Sequence, residues 1–405
     1  MCRLRVSYRG INLSTTHLKC EQLRDNMATW RRDIHKHPEL GFREVRTAEK
    51  VAALLEEFGL EVHPGVGRTG VVGVLRRGQG NRAIGLRADM DALPIQEAND
   101  FTHRSVNDGV FHGCGHDGHT TMLLGGAKCL AEIGQFDGTV YFIFQPSEED
   151  GQGALSMIDD GLFERFPMES VYGMHNMPGI QAGHFAVRKG PIMTSEDIFV
   201  ITVQGRGGHA STPERTVDPV VIGAEIVLAL QTIVSRSVSP RDWSVVSVTE
   251  FLTDGARNVI PSEIIIKGDC RALSVDTQRM IETRMREIVD GICAAYGAEG
   301  HIEYREDFIP TVNAPAETEA AILAAQQVAG EVAVDLDCPT CGASEDFARL
   351  LARKPGCYIL IGNGHDGHYG SSLHNPNYDL NDDILVTGCR YWVTLVEQQL
   401  AAKAV

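Results

Sequence analysis

Positive charge is scarce in this 405-residue chain: 37 Lys and Arg stand against 54 Asp and Glu, a formal net charge of −17. A surface of that sign repels phosphate backbones and anionic lipid headgroups, so neither nucleic acid nor a membrane surface is an expected partner. Long apolar runs are missing as well. Gly or charged residues interrupt each stretch short of the roughly 20 residues that span a bilayer, and no transmembrane helix is expected. The amino-terminal MCRLRVSYRGINLSTTHLKCEQLRDN lacks the apolar core and small-residue cleavage site of a secretory signal, which leads to the expectation of a cytoplasmic protein. Ten Cys are present, but without the dense spacing of a disulfide framework. Cys338 and Cys341 form a CxxC with no second CxxC to complete a zinc site, and buried thiols are the simpler reading.

Familiar catalytic signatures are absent too: the chain has no GxSxG elbow, no GxxxxGK[ST] loop and no HExxH helix. Gly65-Val66-Gly67-Arg68-Thr69-Gly70 matches GxGxxG, with Asp89 near the distance of a ribose-binding acid. Its context is wrong for a dinucleotide, because Pro64 precedes it and the strand-like VVGVLRR follows, where a helix is required. A glycine-rich hairpin turn is the favoured reading.

What is present describes a globular protein of two or three domains. Strand and helix signals alternate from helical Arg46–Phe58 through strand-like Val71–Arg76 and Ala83–Arg87, helical His119–Glu132 and strand-like Thr139–Phe144 and Val171–His175. That alternation predicts a mostly parallel sheet covered by helices. From about Asp197 to Glu306 the order becomes strand, helix, strand, strand, helix, strand, that of a ferredoxin-like domain, with Ile281, Met285, Ile288 and Ile292 predicted on the inner face of its second helix. Helix and strand then alternate again to a last helix after the Asn381-Asp382 cap signal. The expected organisation is therefore a discontinuous α/β domain, 21–193 with 308–405, carrying an inserted α+β domain, 194–307. An inserted sheet with one open face and free edges predicts self-association through residues between about 197 and 306.

The densest chemistry lies in FHGCGHDGHTT, which places His112, Cys114, His116, Asp117 and His119 among three glycines. Glycine permits the tight backbone that lets neighbouring side chains converge on an ion, and an extended CxH would aim Cys114 and His116 to one face. A nucleophilic Cys114 beside a His is the competing reading. Strand ends decide between them: Asp89-Met90-Asp91, Glu148-Glu149-Asp150 and Met174-His175-Asn176 each follow a strand signal, where an open α/β sheet presents its ligands. One of two adjacent carboxylates can bind metal while the other stays free as a base. His365, His368 and His374 add candidates near the carboxyl end.

RRDIHKHPELGF, RADMDALPI, FHGCGHDGHTTML, FQPSEED, GMHNMPG, GRGGHAS, RNVIPSE, SEDFA and SLHNPNYDLND stand in this order from about Leu23 onward. The chain thereby resembles the M20 metallopeptidase family, specifically its amidohydrolase branch of hippurate hydrolases, N-acyl-amino-acid amidohydrolases and auxin-conjugate hydrolases. The resemblance implies Cys114, His116, Glu149, His175 and His374 as ligands of two divalent ions per subunit, with Glu148 as general base. It implies His209 as an oxyanion donor reaching the metal site of the other subunit of a homodimer, and Asn258 and Arg271 as groups for a substrate carboxylate. Zinc or manganese is expected, with cobalt or nickel as alternatives. Asp150 stands where the family usually has glycine, and an added negative charge there could raise the pKa of Glu148. The implied activity is cleavage of a small-molecule N-acyl-amino acid, hippurate-like, to a carboxylic acid and an amino acid. N-acetyl-amino-acid deacetylation and hydrolysis of indole-acetyl conjugates are close alternatives, and a non-catalytic metal-binding protein is the alternative of another class. Retention of Glu148 speaks against that last reading, since metal binding alone needs no free carboxylate.

Overall fold

The computed structural model describes residues 15–402, apart from the side chain of His368; most of the amino-terminal segment read above thus lies outside the described residues. The chain divides into two units. The first comprises the described parts of Met1–Arg188, Ala314–Cys338 and Arg353–Val405, and the second Lys189–Asn313 and Pro339–Ala352.

The first unit is built on an eight-stranded sheet. Its centre is four parallel strands in the order Gly138–Gln145, Ala83–Asp89, Ser170–Pro178 and Gly356–Gly364. Gly138–Gln145, Ala83–Asp89 and Gly356–Gly364 are buried along their whole length, and apolar residues such as Val140, Phe142, Ile84, Leu86, Ile359 and Ile361 fill positions on both faces. Strands covered on both faces need such near-continuous apolar sequence. Antiparallel pairing is confined to the margins, where Glu61–Val66 and Gly70–Arg77 form a hairpin around the GxGxxG match. The helices Arg24–Lys36, His116–Ile133, Pro315–Ala329 and Leu385–Gln399 bury Met27, Leu123, Ala324, Trp392 and their neighbours in one core with this sheet.

The second unit holds the βαββαβ element. Its antiparallel strands run in the order Glu299–Phe308, Glu196–Gln204, Glu263–Ala272 and Ser244–Thr253, and burial alternates along Glu196–Gln204 as for a sheet covered on one face. Asp218 caps the helix Pro219–Thr232, and Ser274 caps Val275–Tyr296. On the latter helix the fully buried stripe is Ile281, Met285, Val289 and Cys293. Ile288 and Ile292 are only partly buried at its flank, since the buried stripe steps by four residues, about 40° past a full turn each time, and so winds around the helix toward Val289 and Cys293.

The expected insertion, 194–307, falls inside this unit, which also takes in 339–352. Hydrogen bonds bring that segment in: Cys341 N donates to Ile192 O and Thr194 Oγ1 to Gly342 O. The segment Pro219–Ser237 is long and apolar enough, by length and composition alone, to cross a membrane, which the reading of short apolar runs did not anticipate. Here it packs Ile222, Ile226 and Leu230 into the core of its own unit and leaves Val221 and Leu228 exposed.

Candidate active site

Asp91 lies just beyond the strand Ala83–Asp89 and joins two motif loops. Its Oδ2 accepts from Glu149 N at 3.0 Å, while its carbonyl oxygen lies 2.9 Å and its Oδ1 3.2 Å from His116 Nδ1. His116 therefore donates through Nδ1 and presents the lone pair of Nε2. The expected extended CxH is not found. His116 is already the first residue of the helix His116–Ile133, and Gly115, left-handed at φ 94°, turns the chain so that Cys114 and His116 converge. A Cβ at Gly115 would lie 2.3 Å from Asn176 Nδ2 and 2.5 Å from the Tyr378 hydroxyl, so the turn requires glycine. Cys114 Sγ lies 3.4 Å from His175 Nε2, whose ring donates through Nδ1 to Asn176 O at 2.6 Å.

Glu148 and Glu149 follow the strand Gly138–Gln145 across Ser147, which has a positive φ of 48°. Ser147 N donates to buried Glu44, whose carboxyl burial pushes up to about 7. Glu149 Oε1 and His116 Nε2 are 3.8 Å apart, both buried without a hydrogen-bond partner among the described residues. The other Glu149 oxygen is 3.5 Å from Nε2 of His374, a half-exposed side chain on a left-handed residue. Glu148 Oε2 comes within 3.9 Å of His116 Nε2.

Two sets of ligand atoms, Cys114 with His116 and His175, and Cys114 with Glu149 and His374, each lie within 4.8 Å of one another; so do those of His116, Glu148 and Glu149. The structure thus brings together the five expected ligands and the expected base. Unpartnered buried nitrogen and oxygen among thiol, imidazole and carboxylate fit divalent ions of borderline softness. The field agrees: although burial opposes it, Asp89, Asp91 and Glu149 favour positive charge at His116, whose pKa they raise to about 10, and a cation would take the place of the proton on Nε2. Burial, with Glu149 and Glu148, holds the Cys114 thiol well above its usual range, which suits a ligand ionised by a cation better than an activated nucleophile.

His119 and Asp89 also bring ligand-type atoms within 4.8 Å of His116, but protein partners already hold them, and Asp117 and His112 have their own surroundings. His119 donates to Asp89 Oδ1 at 2.7 Å and accepts from Asn176 N at 3.0 Å, while Arg87 occupies Asp89 Oδ2. Asp117 pairs with Arg31 and His35, and burial keeps His112 neutral, its pKa down to about 4. Sequence reasoning gave no role to Glu44, Asn176, Tyr378 or Arg31; the RRDIHKHPELGF, GMHNMPG and NPNYDLND motifs carry the signal for the last three. Asp150 lies on the exposed side of its turn and accepts from Ser147 Oγ at 3.3 Å. His365 is exposed, the His368 side chain lies outside those described, and Cys338 and Cys341 are free thiols.

In the second unit, Gly208–His209 pairs with Val259–Ile260, and Ala210 N donates to Asn258 O, so His209 and Asn258 are neighbours. Exposed His209 accepts at Nδ1 from Ser211 N at 3.2 Å, which leaves the proton of a neutral ring on Nε2. Arg271 donates to Asp269 and Glu196 at 3.0 and 2.8 Å, the strand ion pair that is the ordinary use of such a residue.

Residues 85–398 match the family described as peptidase family M20/M25/M40. A hippurate hydrolase of Campylobacter jejuni is 42% identical over 91% of this chain and 95% of its own. A thermostable carboxypeptidase of Saccharolobus solfataricus is 37% identical over 91% and 94%. Among solved structures, a dinuclear metal binding peptidase from the M20 family of Bacillus subtilis shares 30% identity, covers 94% of this chain and 99% of its own, and superposes with a TM-score of 0.82. With the match running over most of the chain, the protein belongs to peptidase family M20/M25/M40 and is a metal-dependent amidohydrolase.

Proposed function

We propose that this enzyme hydrolyses the amide bond of an N-acyl-amino acid with a hippurate-like aromatic acyl group, using two divalent ions. The observation that carries the reading is the meeting of buried Cys114, His116 and His175 with Glu149 and the half-exposed His374, beside a second carboxylate, Glu148. Those five residues would hold the two ions, whose Lewis acidity acidifies water and polarises the scissile carbonyl. Zinc suits the thiolate and imidazoles, and manganese suits the carboxylate. Glu148 takes a proton from the attacking water and delivers it to the leaving nitrogen. The water oxygen ends on the acyl carbon as the C–N bond breaks, giving a carboxylic acid and an amino acid. His209 offers an Nε2 proton to the developing oxyanion, in keeping with the tautomer that Ser211 imposes. The likeness to a hippurate hydrolase supports the acyl choice.

Asn258 and Arg271 would receive the α-carboxylate, Arg271 through the part of its guanidinium not spent on Glu196 and Asp269. Arg271→Ala should then raise KM for free-carboxylate substrates and spare their amidated analogues, and an equal loss on both would make Arg271 structural. The functional test is a product-detected screen of benzoyl-, acetyl- and indole-acetyl-amino acids with the metal-stripped protein reloaded with zinc, manganese, cobalt or nickel in turn. Release of benzoate and glycine from hippurate at the highest kcat/KM is expected. Metal binding without hydrolysis of any N-acyl-amino acid would overturn the proposal in favour of a non-catalytic protein.

A further inference from the structure

Away from the active site, three helices of the first unit direct cysteine sulfurs to one point. Cys20 of Thr15–Gln22, Cys129 of His116–Ile133 and Cys389 of Leu385–Gln399 are fully buried, and their Sγ atoms all lie within 4.8 Å of one another, Cys20 and Cys129 at 3.3 Å. A fourth soft atom stands at the edge. A Cβ built on Gly125 would lie 2.5 Å from Met27 Sδ and 3.2 Å from Cys389 Sγ, so the thioether and the thiol line a gap that glycine keeps open. Met27 is also fully buried, on a further helix, Arg24–Lys36.

Apolar packing could be met at each of these positions by carbon. Three thiols from separate helices converging in a dry core, with a thioether beside the gap that one of them lines, are the donor set of a soft ion, because thiolate and thioether select Cu(I) over hard cations. We propose that Cys20, Cys129 and Cys389 form a second metal site, for one soft closed-shell ion of the Cu(I) class, with the Met27 thioether at its edge.

The sulfur spacing favours this over a disulfide. Three sulfurs around an ion at a metal–thiolate distance of about 2.3 Å stand about 4 Å apart, so Cys20 and Cys129 need only part slightly. A disulfide demands closure to about 2.05 Å between two packed helices. The thiol protons leave to solvent as the ion enters. Bound there, the ion would pin Thr15–Gln22, which at eight residues is too short to be helical alone, onto the two helices beneath it.

The test is anaerobic titration of the protein, its catalytic ions already bound, with Cu(I) in competition with a chromophoric Cu(I) chelator. One equivalent should be held by wild type and by Cys293→Ala, which removes a buried thiol of the second unit. In Cys129→Ala and in Cys389→Ala the affinity should fall by more than the roughly tenfold to hundredfold typical of losing an outer-shell partner. Near-ultraviolet circular dichroism unchanged from wild type certifies that these variants fold, and native Cys20→Ala provides a third. Equal affinity in the wild type and the folded cluster variants overturns the site, as does an equal loss in Cys293→Ala. A wild type that holds no Cu(I), and instead yields a Cys20–Cys129 linked peptide on exposure to glutathione disulfide, overturns it in favour of a thiol pair.

Discussion

Glu148 and Glu149 are adjacent in the chain yet meet different surroundings. Both approach His116 Nε2 to about the same distance, 3.8 Å for Glu149 and 3.9 Å for Glu148, and what sets Glu149 apart is an oxygen orphaned in the buried cluster and a second one facing His374. Glu148→Gln should therefore keep both ions and lose at least about a hundredfold in kcat, the scale of a general base. Glu149→Gln should lose about one equivalent of metal. Elemental analysis of the two variants decides, and equal metal loss in both would sink the division of roles. Gly115 is tested in the same way. With Asn176 and Tyr378 against the place a Cβ would take, Gly115→Ala should open the Cys114–His116 turn and weaken metal binding about tenfold or more. Metal affinity unchanged in a folded Gly115→Ala protein would show that the turn tolerates the side chain.

Elements carry the site through their ends. The parallel strands Ala83–Asp89 and Gly138–Gln145 deliver Asp91 and the two glutamates at their carboxyl ends, while His175 sits within Ser170–Pro178, which runs three residues past it. Periodicity located these strands, because burial on both faces demands unbroken apolar sequence. It placed the start of the helix His116–Ile133 too late, since glycine and histidine carry little helical signal and the left-handed Gly115 is fixed by Asn176 and Tyr378.

In the second unit, Asp197 ties strand to helix, accepting from Gln278 at 2.7 Å and Tyr304 at 2.8 Å. Burial pushes its carboxyl up to about 7 against the pull of those donors. The native state thus binds a proton that the unfolded chain releases at about pH 4, so the associated stability is present below that value and is lost as pH rises through 7. Wild type should melt at a lower temperature at pH 8 than at pH 5, and Asp197→Asn should remove part of that fall. Calorimetry at the two pH values measures it, and an identical fall in both proteins would refute the assignment.

At the scale of the whole molecule, the proposed homodimer draws support from the second unit. Val221 and Leu228 of Pro219–Thr232 and Phe251 and Leu252 of the edge strand Ser244–Thr253 are exposed, apolar surface of a kind that association buries. If His209 serves the other subunit, His209→Ala and Glu148→Gln chains, each inactive alone, should regain activity when mixed. Equal parts give about half heterodimer with one intact site each, hence roughly a quarter of wild-type activity as the ceiling. Differently tagged chains establish the exchange. Verified heterodimers with no recovery would place His209 in its own subunit's chemistry or outside it.

The sequence by itself determined the parallel sheet, the βαββαβ order and the loops in which ligand-type residues gather, because each rests on local pattern: apolar periodicity, turn residues and motif spacing. Tertiary structure alone decided which of the five groups in FHGCGHDGHTT turn toward the cluster. Cys114 and His116 do, whereas His119 is taken by Asp89 and Asn176, and Asp117 by Arg31 and His35, partners up to 86 positions away. The same holds for Arg271, whose charge two carboxylates of its own sheet already balance, and for the sulfur cluster, where Cys20 and Cys129 meet across 109 residues. Hydrogen-bond partners so distant leave no trace in spacing; they are chosen when packing brings the strands and helices together and each buried polar group must find a partner.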